Sequence, residues 1–172
     1  MSNYAVAFRT PVGSGIQTPE RDDDGYYVAL AFNELNPDVN GGSYHLGVDW
    51  NGEGGGNTDL GDPVYAIANA TVVAVVSDQS DATTGFGNYV VLRHDFLEPQ
   101  LINGQLVSHV YSLYAHLDSV EDLRVGDEIS IGDTIGTIGS SGYGPVAHLH
   151  FEITLGDTLP TSDDGYNKDG AP

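Results

Sequence analysis

Val146-Ala147-His148-Leu149-His150-Phe151-Glu152-Ile153 alternates polar and apolar residues from His148 onward, the period of a strand whose successive side chains point to opposite faces. His148, His150 and Glu152 are therefore expected on one face and Leu149, Phe151 and Ile153 on the other. The first face offers two imidazoles and a carboxylate, and the second can be buried. Two imidazoles two residues apart cannot hold a catalytic metal alone, since zinc in such sites takes three protein ligands. Further donors have to arrive from distant parts of the chain.

Two upstream stretches can supply them. Tyr44-His45-Leu46-Gly47-Val48-Asp49-Trp50 carries an imidazole and a carboxylate at even spacing in an extended, glycine-containing context, which predicts both on one side. The carboxylate would add negative charge to hold a divalent ion. His109 to Leu117 reads as a strand, with Tyr114 and His116 expected on one face. His116 stands at its end, just before the Asp118-Ser119 turn, where a rigid support can project a side chain into a cleft. His109 begins the strand and is less well placed. His94 closes the predicted strand Asn88 to Arg93 and is read as structural. Glu152 is expected to hydrogen-bond a neighbour rather than act as a base. Tyr114 fits either a hydroxyl donor into that cleft or a packed aromatic.

The remaining chain reads as scaffold. Tyr26 to Phe32, Val64 to Ala70 and Thr71 to Ser77 are predicted strands between Gly, Asn and Asp turns. Asn51 to Asp62 is a glycine-rich loop that can wall a groove and lacks the lysine and spacing of a phosphate loop. Val125 to Gly139 repeats a short apolar and Gly-Asp pattern and predicts a hairpin platform. Ser140 to Ala147 is a small-residue loop, and Thr158 to Pro172 reads as a poorly packed polar tail. Asp22-Asp23-Asp24-Gly25 lacks the alternating ligands of a calcium loop and is read as a turn.

Composition bounds the rest. A chain of 172 residues suits one domain; 23 glycines, 8 prolines and many β-branched residues favour short strands, so the fold class is mainly β, a single domain of antiparallel sheets with short hairpins. The formal net charge of -20 repels phosphate backbones and anionic membranes, arguing against nucleic acid as a partner. With no cysteine, a metal must use histidine and carboxylate. Met1 to Thr10 shows no signal peptide, and no run approaches the ~18 apolar residues of a membrane span.

His-x-x-x-Asp at 45 to 49, Tyr-Ala-His-Leu at 114 to 117 and His-Leu-His-Phe-Glu at 148 to 152, with Gly-rich β segments such as RVGDEISIGDTIGTIGSSG between them, together resemble the lysostaphin/LytM-type zinc endopeptidases that cut peptidoglycan peptides. The resemblance covers Gly42 to Ile153. It implies the fold of that family, related to the duplicated hybrid motif, with a catalytic domain at 42–156, an N-terminal segment at 1–41 packing on or near it and a polar C-terminal tail at 157–172. By the same resemblance His45, Asp49 and His150 bind Zn2+, while His116 and His148 stay off the metal as catalytic residues beside a zinc-activated water. Peptidoglycan peptides are the implied substrate, for a monomer acting outside the cytoplasm. Two other readings compete: a non-catalytic cell-wall-binding or hydrolase-activating relative, which would be expected to have lost ligands, and a phosphocarrier-like β module, which would need no metal. A lipoyl or biotinyl carrier would need a lysine at a hairpin tip, and the only lysine is Lys168.

Overall fold

A computed structural model describes residues 3–15, 17–18, 21–22, 25–144, 146–156, 159–160 and 165–169, with backbone alone for 17–18 and 21–22. The expected turn at Asp23-Asp24, the start Met1-Ser2 and the tail residues 157–158, 161–164 and 170–172 lie outside the described residues. The strands are β1 (Gln17–Thr18), β2 (Arg21–Asp22), β3 (Tyr26–Leu30), β4 (Leu35–Asn36), β5 (Ser43–His45), β6 (Val48–Gly52), β7 (Pro63–Tyr65), β8 (Ala70–Val76), β9 (Asn88–Ile102), β10 (Gln105–Val120), β11 (Glu128–Ile129), β12 (Thr134–Ile138), β13 (Leu149–Leu155) and β14 (Tyr166–Asn167). The described residues form no helix, and none long and apolar enough to cross a membrane.

The main sheet has the order β1-β2-β3-β6-β13-β10-β9-β8-β11, with β12 joining it through β10 and β7, and a small sheet is ordered β14-β5-β4. Every pairing is antiparallel, as expected for an all-β chain with one face free for function. Register fixes which residues share a face. Asp49 pairs with His150, which pairs with Ala115, so these three stand in a row across β6, β13 and β10. On the opposite face Trp50 pairs with Leu149, and both belong to the main core with Phe151, Tyr114, Leu92, Val90 and Val72. A smaller cluster of Phe86, Val91, Tyr111, Leu113 and Ala115 packs on the imidazole side. The N-terminal segment lies on the core face: Ala5 and Val12 enter the main core, and Arg9 N donates to the Ile67 carbonyl at 2.8 Å.

Several boundaries differ from the expectations. Val64 to Ala70 is not one strand; β7 ends at Tyr65 and the buried Ala66, Ile67 and Ala68 bridge to β8. The strand expected to stop at Arg93 runs to Ile102, and with β10 forms a long two-stranded arm. Val125 to Gly139 does not fold back on itself: β11 pairs with β8, and β12 pairs with β10 and β7. The near-repeat is nevertheless real at the level of turns. Arg124 N donates to Asp127 Oδ2 and Ser130 N to Asp133 Oδ2, both at 2.8 Å, and Gly126 and Gly132 both take positive φ, at 100° and 84°. Ile153, expected in the core, is 51% exposed at its margin.

His94 belongs to the scaffold. It is fully buried, its Nδ1 donates to the Asn69 carbonyl at 3.0 Å, and its Nε2 lies 2.7 Å from Ser112 Oγ. Burial pushes its imidazole down to about 4 against the pull of the Asn69 carbonyl. The unfolded chain therefore binds a proton that the folded chain refuses between pH 6.5 and 4. Stability from this group is complete above 6.5 and is lost as pH falls toward 4, by on the order of 3 kcal/mol. Urea unfolding across that window is expected to be steeper in pH for the parent than for His94→Gln; equal slopes would contradict the assignment.

Candidate metal centre

Three polar atoms converge where β5, β6 and β13 meet. His45 Nε2 lies 2.9 Å from His150 Nδ1 and 3.1 Å from Asp49 Oδ1, and His150 Nδ1 lies 2.9 Å from the same carboxylate oxygen. A tetrahedral zinc with bonds of about 2.0–2.1 Å holds its donors roughly 3.3 Å apart, so the triangle matches to within a few tenths of an ångström. Among the described residues this is the one His, Cys, Asp and Glu group of metal-binding size. All three side chains are nearly closed to solvent, at 0% for His45, 2% for His150 and 12% for Asp49. Such burial of a carboxylate is tolerable only beside a compensating positive charge.

The way each imidazole is held decides which nitrogen faces the centre. His45 Nδ1 meets the Ala31 carbonyl at 3.3 Å, His116 Nδ1 the Ser141 carbonyl at 2.8 Å and His148 Nδ1 the Val146 carbonyl at 2.9 Å. His150 Nε2 meets Glu152 Oε1 at 2.9 Å. Those oxygens only accept, so each of these nitrogens carries a proton and the other nitrogen is the one left to bind a cation or take a proton. Glu152, 3% exposed, thus orients His150, the hydrogen-bonding part expected of it.

Electrostatics describe the same site. Burial resists charge on Asp49, yet the adjoining His150 and His45 imidazoles hold its carboxyl far below the usual carboxylate range. Burial likewise opposes a proton on His150, but Asp49 and Glu152 outweigh it and push the imidazole up to about 9. The pocket therefore favours one extra positive charge, which a proton or a divalent ion can supply, in competition. His116 behaves oppositely. Burial, reinforced by the neighbouring imidazoles of His148 and His150, pushes it down to about 3, leaving it neutral.

His116 and His148 flank the triangle, their rings 4.7 Å apart, with His116 also 5.7 Å from His150 and His148 Nε2 3.9 Å from Asp49 Oδ2. Tyr114 does not accompany them. It is fully buried on the core face, its hydroxyl accepting from Ile67 N at 3.1 Å and lying 3.1 Å from Ser112 Oγ, which removes it as a donor to an intermediate. Strict alternation would have put His116 on that face too. Instead the β9–β10 register shifts between Tyr114 and Leu117, and His116 takes φ of 63°. A left-handed non-glycine residue inside a bulge is a costly conformation, and here it turns the imidazole to the face of Ala115 and His150. His109 packs edge-on against Tyr111, its ring 5.2 Å away, and is not among the converging donors.

Sequence reading passed over several parts of the site. Gly47 must lack a side chain, since a Cβ there would stand 2.6 Å from the Phe151 carbonyl oxygen and 2.9 Å from His150 Cε1; its place inside His-x-x-x-Asp was the available signal. Phe86, 5.6 Å from His150 ring to ring, and the carbonyls of Ala31, Ser141 and Val146 carried none. The tail was read as poorly packed, but β14 pairs with β5, with Tyr166 opposite His45.

Because Glu152 fixes the proton on His150, Glu152→Gln is expected to weaken zinc binding about 10–100-fold with little change in fold. Chelator competition on the purified variant measures this, and an unchanged dissociation constant would remove Glu152 from the site's support.

Lysostaphin of Staphylococcus staphylolyticus is 31% identical over 142 residues, covering 77% of this chain and 25% of that protein. Glycyl-glycine endopeptidase ALE-1 of Staphylococcus capitis is 32% identical over 115 residues, covering 66% and 25%. The chain thus spans only about a quarter of these relatives. Among solved structures, the catalytic domain of the antimicrobial peptidase lysostaphin from Staphylococcus simulans superposes with a TM-score of 0.56 at 28% identity, covering 83% of this chain and 88% of that one. The model of peptidase family M23 matches residues 43–161, a span containing all five sequence-predicted site residues, and the chain belongs to that family.

Proposed function

We propose that the chain is a zinc metalloendopeptidase that hydrolyses peptide bonds in the cross-links or stem peptides of peptidoglycan. The observation that carries this reading is the triangle of His45, Asp49 and His150 with two further imidazoles beside it, His116 and His148, that are not needed to hold a cation. Two neutral imidazoles and one carboxylate form an open catalytic zinc set. A zinc ion held there supplies Lewis acidity, lowering the pKa of water toward ~7 and polarising a carbonyl.

The chain's own residues then have defined tasks. His45 Nδ1 donates to the Ala31 carbonyl and His150 Nε2 to Glu152, so His45 Nε2 and His150 Nδ1 are the nitrogens that would bind the ion, beside the Asp49 carboxylate. His116 Nδ1 donates to the Ser141 carbonyl, so its Nε2 is the nitrogen that can accept a proton from attacking water. His148, 4.7 Å away, shares with it the stabilisation of the oxyanion and the return of a proton to the leaving amine. The low solvent exposure of the donor side chains strengthens each of these interactions.

The relative named as a glycyl-glycine endopeptidase supports a short peptide of small residues among the bonds cut. We further propose a monomer that works outside the cytoplasm, where such a substrate lies. A non-catalytic role would leave five intact site residues unexplained, and a phosphocarrier has no use for the buried carboxylate at their centre.

His45→Ala and Asp49→Ala are each expected to lose stoichiometric zinc by metal analysis; full occupancy in both would reject them as ligands. His116→Ala is expected to keep zinc and lose about 10²–10⁴-fold in turnover. Release of peptides from purified peptidoglycan of several cross-link types, followed by mass spectrometry with and without chelator, measures it; undiminished release by the variant would refute its role.

A further inference from the structure

The strand β14, Tyr166–Asn167, and Gly165 before it lie beyond the residues that match the family model, which end at 161, yet between them they reach both imidazoles of the donor triangle. Tyr166 pairs with His45 across the small sheet, and Leu46 N donates to the Gly165 carbonyl at 2.8 Å. The Tyr166 ring lies 5.2 Å from the His45 ring, and its hydroxyl accepts from Asn36 Nδ2 at 3.3 Å. Gly165 is buried, with φ of 72°, and a Cβ on it would stand 2.7 Å from His150 Cε1 and 2.8 Å from His150 Nε2. That nitrogen is the one bonded to Glu152.

These contacts leave little freedom to either ring. His150 is backed at Cε1 by Gly47 on one chain segment and by Gly165 on another, with Phe86 against its face. His45 is held by the Ala31 carbonyl at one nitrogen and by Tyr166 on its ring. A donor triangle with edges near 3 Å tolerates little rotation of either imidazole before a cation loses one of its bonds.

We propose that Gly165 and Tyr166 are positioning residues of the metal centre, the C-terminal strand serving as a back wall that holds His45 and His150 in the geometry a zinc ion requires. The proposal rests on the reading of the triangle as a zinc site. Gly165 acts through what it lacks. Any side chain there must displace the His150 ring, and the left-handed backbone adds strain of its own. Tyr166 acts through its ring, while its hydroxyl accepts from Asn36 Nδ2.

The test uses the full chain and zinc alone. Zinc dissociation constants come from competition with a chromogenic chelator, and the coordination geometry from the visible absorption of the cobalt-substituted protein. Gly165→Ala and Tyr166→Ala are each expected to bind zinc about 10–100-fold more weakly, with an altered cobalt spectrum. Tyr166→Phe, which keeps the ring, and Asn167→Ala, whose side-chain oxygen accepts from Asp169 N rather than facing the centre, are expected to match the parent in both readouts. Circular dichroism and thermal unfolding in chelator report on the metal-free fold. Should Gly165→Ala fail to fold, Tyr166→Ala decides in the same assay. Parent-like affinity and spectrum in the alanine variants would overturn the proposal, as would loss of the metal-free fold in both, which would make the strand a structural clasp. A parent chain that takes up no zinc would instead overturn the reading of the site, and the proposal with it.

Discussion

Two carboxylates, Asp49 and Glu152, are buried on either side of one imidazole, His150, and call for one positive charge beside them. Burying Asp49 and Glu152 would be prohibitive without it, and their hydrogen bonds to His150 show where it is wanted. The same demand explains the division among the histidines. His150, bonded to both carboxylates, is arranged to welcome charge, while His116, next to other imidazoles and tied to a neutral carbonyl, is arranged to rest neutral. His150 and His116 thus differ through their hydrogen-bond partners, not through residue type.

The scaffold meets this demand with a sheet that is apolar on one face and reactive on the other. Register across β6, β13 and β10 lines up Asp49, His150 and Ala115 on the reactive face, and Trp50 and Leu149 in the core behind. Regular pleating alone would have buried the His116 side chain beside Tyr114. The bulge breaks the period at one residue, and the strain of its left-handed backbone is sustained by the packed strands on either side.

Much of this could be read in the residues themselves. Alternation in 148–152 separated Leu149 and Phe151 from His150 and Glu152 correctly, because a strand with one buried face has little freedom of register. The even spacing of His45 and Asp49 succeeded although the two lie in different sheets, since Gly47 between them allows the chain to turn tightly against Phe151. Periodicity failed at Tyr114 and His116, where a bulge obeys no period. It failed again at Val125 to Gly139, where the repeated Gly-Asp turns were mistaken for the two halves of one hairpin; similar local sequence made similar turns, but long-range partners chose the pairing. Gly165 and Tyr166 had no signal, because a contact between the tail and His45 is visible only in three dimensions.

The long β9–β10 arm divides the molecule by strength of attachment. Near Val90 and Leu113 it is buried between neighbouring strands, but from Leu97 to Leu106 its strands pair, among the described residues, only with each other, and Leu97, Leu101 and Leu106 are 64%, 72% and 77% exposed. A lone two-stranded ribbon is marginal in water. Its tip can therefore open and close many times within the lifetime of a single folded molecule, while the strands that carry the imidazoles stay shut. Lengthening or trimming that tip would alter the outline of the protein and leave its chemistry where it is.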